Sequence, residues 1–220
     1  MFRVKICGVT NVSDAQSVAV AGADAVGFNF YPESCRHISL DVAEEIVATL
    51  PSGLQRVGLF VNATDDEICR IFDHLSLDFI QLHGDEPPEF LLSLGGRPII
   101  RAFRLGPGGL APIREYLDAC QGSEIDLRAV LIDAYHPTRY GGTGEVADWD
   151  RLGADRSLLN DLPLILAGGL NCENVAEAIH RVRPDAIDTA SGVEKSPGQK
   201  DPVLVQEFVT AARAAWASKR

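Results

Sequence analysis

Short, nearly continuous runs of Val, Ile, Leu, Phe and Ala recur along the chain, at positions 4–7, 25–30, 57–61, 79–83, 99–103, 129–133, 164–167 and 186–189. Runs of this length, apolar on both faces, are the pattern of parallel strands covered on two sides, in contrast to the strict alternation of a half-solvated sheet. Between them the apolar spacing changes to that of helices. Ser13 precedes an Ala/Val-rich stretch that ends at Gly22, Ser39 opens a helix carrying Val42, Ile46 and Val47, and Thr64 with Glu67 forms a capping-box signal. Further helices are predicted over 86–94, 109–120, 171–181 and 202–216, with a short, weakly periodic one over 148–160.

Strand and helix alternate without an antiparallel hairpin signal, which implies right-handed crossovers and a parallel sheet. Eight strands favour closure into a (β/α)8 TIM barrel. An open, doubly wound sheet would be expected to carry Gly-x-Gly-x-x-Gly after its first strand, but Cys7-Gly8-Val9-Thr10-Asn11 stands there. The 220 residues suit one such α/β domain, 1–220, because barrels exceed the usual domain length as a single core.

Charge narrows the partners. A formal charge of −11 repels nucleic acid and anionic membrane at long range, so an anionic ligand has to be held by local dipoles. With no long apolar run and no leader pattern at the N-terminus, a cytoplasmic protein is expected, monomeric by default with a homodimer as the alternative. Five cysteines, odd in number and without a Cys-x-x-Cys pair, argue for reduced thiols and against structural zinc.

Chemistry in a barrel sits where the strands end. The ends here carry Cys7, His83, Asp133, Gly168 with Gly169, and Asp188. Period two puts Lys5 with Cys7, Gln81 with His83, Leu131 with Asp133, and Ala186 with Asp188 on shared faces, so an inward orientation brings a thiol and a carboxyl to one mouth. Such a pair can take and deliver protons on one substrate. Two loops, Gly168-Gly169-Leu170-Asn171 and Ala190-Ser191-Gly192-Val193, follow the seventh and eighth strands, the habitual phosphate site of the fold. A third glycine-rich segment, Gly141-Gly142-Thr143-Gly144, has the composition of a lid and lacks the Lys-Ser/Thr ending of a nucleotide loop.

Taken together, Lys5-Ile6-Cys7-Gly8, Gly27-Phe28-Asn29-Phe30 with Ser34-Cys35-Arg36-His37, Gln81-Leu82-His83-Gly84, Leu131-Ile132-Asp133, Leu166-Ala167-Gly168-Gly169 and Ser191-Gly192-Val193-Glu194 resemble phosphoribosylanthranilate isomerase of tryptophan biosynthesis. The likeness runs the length of the chain, with the motifs in the family's order. It implies an Amadori rearrangement of a phosphorylated aminoaldose, without metal or organic cofactor. Asp133 would be the general acid and Cys7 the general base. Arg36 would pair with the anthranilate carboxylate, while His83 and Asp188 would lie near the substrate. Gly168, Gly169, Ser191 and Gly192 would bind its phosphate. A cysteine base needs thiolate character, to which Lys5 is a candidate contributor, although a buried ion pair is the commoner role for such a lysine. Two other classes use the same loops: a metal- or flavin-dependent phosphate-binding barrel, and a barrel that binds a phosphometabolite without chemistry.

Overall fold

The computed structural model describes residues 1–106, 108–121, 125–134 and 149–218. Eight parallel strands, β1 Val4–Cys7, β2 Ala25–Asn29, β3 Gln55–Phe60, β4 Phe79–Leu82, β5 Ile99–Leu105, β6 Leu127–Ala134, β7 Leu164–Leu166 and β8 Ala186–Thr189, pair in sequence order. The barrel closes because β1 bonds β2 on one side and β8 on the other, with Lys5 level with Ala25 and with Asp188. The expected TIM barrel is therefore the fold, and each predicted strand overlaps an observed one.

The helices are α1 Val12–Val20, α2 Leu40–Val47, α3 Asp65–Leu75, α4 Ala111–Cys120, α5 Trp149–Ala154, α6 Val175–Val182 and α7 Pro202–Ala217. Ser39 and Thr64 cap α2 and α3 through the main-chain N–H groups of Val42 and Glu67. Four local expectations change. The cap of α1 is Asn11, which accepts from Asp14 N at 2.9 Å, so Ser13 already lies inside the helix. After β4 the chain makes a 3-10 helix, Pro88–Leu94, where an ordinary helix was expected from residue 86; Pro87 and Pro88 supply no N–H. Helix α6 starts at Val175 instead of near 171, because Asn171 Oδ1 accepts from both Glu173 N and Asn174 N and holds a turn first. Finally, Glu194–Ser196 (β9) and Gln199–Lys200 (β10) form an antiparallel pair around Pro197 and Gly198, two strands too short and polar to register as an apolar run.

Two apolar cores follow from the strand period. Outward residues such as Val4, Ile6, Val26, Phe28, Ile80, Val130 and Ile132 pack beneath the helices. Inward residues Ala25, Val57, Phe79, Ile100, Ala102, Ala129, Leu131, Ile165, Ala167 and Ala186 make a separate cluster closed at the bottom by Phe2, whose ring meets Phe79 edge-on at 6.0 Å. The inward rows turn polar one pleat higher: Gln81 above Phe79, Asp133 above Leu131, Asp188 above Ala186. The apolar plug thus forms the floor on which the chemistry stands.

Candidate active site

A cavity of about 580 Å³ opens at the C-terminal end of the barrel. Cys7, Arg36, His83, Asp133, Asp188, Gly168, Gly169 and Ser191 all line it, so the sequence candidates converge on one mouth. Gly192 sits directly behind, against the Leu170 carbonyl. The expected lid, Gly141, Gly142, Thr143 and Gly144, lies outside the described residues.

Lys5 is buried, and its ammonium bonds Asp188 Oδ1 at 2.9 Å. Burial works to strip its proton, but the Asp188 carboxylate and the Cys7 sulfur outweigh it and raise the Lys5 pKa above the ordinary lysine value. Lys5 is thus the ion-pair partner anticipated for it, and Asp188 its counter-ion. Burial pushes the Cys7 thiol up; the Lys5 charge opposes without cancelling it, and Asp188 adds to the rise. Gly27 makes room for this sulfur, since a Cβ there would come within 2.8 Å of Cys7 Sγ. Across the mouth, Asp133 is buried with His83 Nε2 at 3.5 Å from its Oδ2. Gln81 Nε2 lies 3.4 Å from His83 Nδ1.

Arg36 reaches the rim from the loop after β2. Its guanidinium forks onto Glu194, Nε to Oε1 at 2.8 Å and Nη2 to Oε2 at 2.7 Å. Burial raises the Glu194 pKa, but hydrogen bonds from Arg36 and the Lys200 charge overcome it and hold the carboxyl below the ordinary glutamate value. Lys200 Nζ bonds the same Oε1 at 2.8 Å and the Ala190 carbonyl at 3.0 Å.

The two loops after β7 and β8 are built against each other. Thr189 Oγ1 donates to Leu170 O at 2.6 Å, and a Cβ on Gly192 would collide with that carbonyl. Gly168 and Gly169 hold φ of 89° and 66°, the left-handed region that glycine enters freely, and both line the cavity. Among the described residues, the main-chain N–H groups of Gly168, Gly169 and Ser191 donate to no protein acceptor. These free donors suit an anion.

The model of the N-(5'-phosphoribosyl)anthranilate isomerase family matches residues 4–211. The chain belongs to that family. Among its relatives, the N-(5'-phosphoribosyl)anthranilate isomerase of Geobacter sulfurreducens is 46% identical over 97% of this chain and 99% of its own length. That of Rubrobacter xylanophilus is 42% identical over 97% of this chain and all of its own. The crystal structure of phosphoribosyl anthranilate isomerase from Thermotoga maritima superposes with a TM-score of 0.85 at 38% identity, covering 97% of this chain and 100% of that one. A complex of phosphoribosyl anthranilate isomerase with reduced 1-(o-carboxyphenylamino)-1-deoxyribulose 5-phosphate gives 0.80 at 38% identity, with the same coverage.

Within this isomerase-family barrel, several lining or supporting residues had no role in the sequence reading. Gln81 was noted only as sharing the face of His83, and Glu194 only as part of a motif. Arg104, level with Asp133 on the neighbouring strand, and Lys200 went unremarked. The signal for Lys200 was Pro197-Gly198, a turn that folds the chain back and buries a lysine which the polar sequence around it places at the surface.

Proposed function

We propose that the chain catalyses the isomerisation of N-(5-phosphoribosyl)anthranilate to 1-(2-carboxyphenylamino)-1-deoxyribulose 5-phosphate, as an enzyme of tryptophan biosynthesis in the cytoplasm. The observation that carries the reading is the meeting of Cys7, Asp133 and the paired Gly168 and Ser191 loops around one cavity, in a chain of this family. Among the described residues no helix is long and apolar enough to cross a membrane.

Asp133 gives a proton to the furanose ring oxygen, the C1–O bond breaks toward that oxygen, and the aryl nitrogen lone pair closes a protonated imine at C1. Cys7 then takes the C2 proton, whose electrons flow into the imine to give an enolamine that tautomerises to the ketose. Only protons and the substrate's own electrons move, so the step asks for one acid and one base. The imine cation forms beside Cys7 and favours the thiolate at the moment it is needed. The Gly168–Gly169 and Ser191 amides hold the phosphate, and Arg36 meets the ring carboxylate, with His83 and Asp188 flanking the acid and the base.

Freshly made phosphoribosylanthranilate should lose its fluorescence faster with the protein than with a heat-killed sample. Equal rates would leave a barrel of this family without its activity. Gly192→Ala is expected to force Leu170 and Ser191 apart, raising KM for the phosphorylated substrate about tenfold and costing about 1–3 kcal/mol of stability. Substrate titration and a denaturant melt check both.

A further inference from the structure

The ion cluster behind Arg36 has a charge balance that the reading above does not use. Arg36 spends its Nε and one Nη2 hydrogen on Glu194, so the side chain expected to receive a ligand carboxylate is already neutralised by a protein carboxylate. The third member is Lys200, whose side chain is 0% exposed and which shares Glu194 Oε1 with Arg36 Nε, each at 2.8 Å. The nearby Asp14 carboxylate bonds the main-chain N–H of Lys200 instead of its ammonium. Lys5 is balanced separately by Asp188. Arg36, Glu194 and Lys200 together therefore carry one net positive charge, and it is Lys200 that supplies the excess.

We propose that Lys200 is a specificity-determining residue: without touching the ligand, it makes the Arg36 site net cationic and so sets the preference for a substrate bearing a ring carboxylate. This rests on the reading that Arg36 receives that carboxylate. The physical basis is that a buried charge a few ångströms behind the binding surface is poorly screened, so its field reaches the ligand. A bidentate Arg–Glu pair alone is dipolar and offers a carboxylate little net attraction. The same ammonium holds the Ala190 carbonyl at 3.0 Å, fixing the start of the phosphate loop to the cluster.

The test uses two ligands, reduced 1-(o-carboxyphenylamino)-1-deoxyribulose 5-phosphate and the same compound without the ring carboxylate, titrated calorimetrically. The wild-type cluster carries one positive charge, Lys200→Met none, Glu194→Gln two, and the double variant Glu194→Gln/Lys200→Met one again. Preference for the carboxylated ligand is expected to fall about tenfold in Lys200→Met, to rise in Glu194→Gln, and to return near the wild-type value in the double variant. The carboxylate-free ligand reports what each variant does through the phosphate alone, and the preference is the ratio of the two affinities. A purely structural lysine would weaken both ligands alike and would make the double variant worse than the single, and either result overturns the proposal. Should Lys200→Met fail to fold, the order of the other three proteins still decides. Arg36→Met separates the two ideas: if it keeps the full carboxylate preference, the Arg36 reading itself is wrong, whereas loss of preference there with no change in Lys200→Met refutes only the role of Lys200.

Discussion

Asp133→Asn is expected to slow turnover by at least about a hundredfold, the low end of what a positioned acid contributes, with little change in KM or stability. Asparagine has the size of aspartate and can keep the contact with His83, but it has no acid proton to give to a ring oxygen. The fold does not depend on the carboxyl: β6 is held by its ladder to β5, in register from Ile100 and Ala129 to Leu105 and Ala134, and by β7 on its other side. Among the described residues, the ion-pair contact of its carboxyl is with His83 Nε2 at 3.5 Å, too long for a tight pair. The loss should therefore appear in the chemical step, seen as a reduced single-turnover rate with the melting temperature nearly unchanged. A variant within tenfold of wild type would remove Asp133 from the acid role and leave His83, across the same contact, as the group to test next.

How far the site could be read before the structure depended on whether its residues sat on the barrel's own period. Cys7, His83, Asp133 and Asp188 each end an apolar run, and the two-residue alternation gives their direction, so pattern alone placed them at one mouth. Arg36 was beyond that logic. It comes from a loop, and only likeness to a known family marked it. Lys200 and Glu194 were harder still, because their partnership is set by the turn at Pro197 and Gly198, by the nearby Ala190 carbonyl and by Arg36, which comes from a segment far away in the chain. The misplaced starts of α1 and α6 have a local cause: Asn11 and Asn171 accept main-chain N–H groups and settle where the helix begins, whatever the apolar spacing. The thiol state of Cys7 stayed open for an energetic reason. The sequence shows Lys5 two residues away but not that the sulfur is buried, and desolvation outweighs the charge.

That burial makes the Cys7 prediction specific in pH as well as in rate. A base acts only as its ionised form, which exists above its pKa. Because burial lifts the Cys7 pKa above the ordinary thiol range, the base contributes a limb of kcat/KM that climbs with pH toward the alkaline side, opposed by the limb of the general acid. Cys7→Ser should lower kcat/KM at least about a hundredfold and erase this climb, since an alcohol does not ionise over the same range. The smaller oxygen fits the space that Gly27 leaves, so a lost fold is not the expected reason for the loss. The climb itself guards against a second reading, in which Cys7 merely fills space above the barrel floor: a packing residue would give a serine variant with altered stability and an unaltered pH profile. Retention of the alkaline limb in Cys7→Ser would move the base elsewhere, whereas its disappearance together with the rate would tie both to the one sulfur atom that Lys5, Lys200 and the forming imine each draw toward its anion.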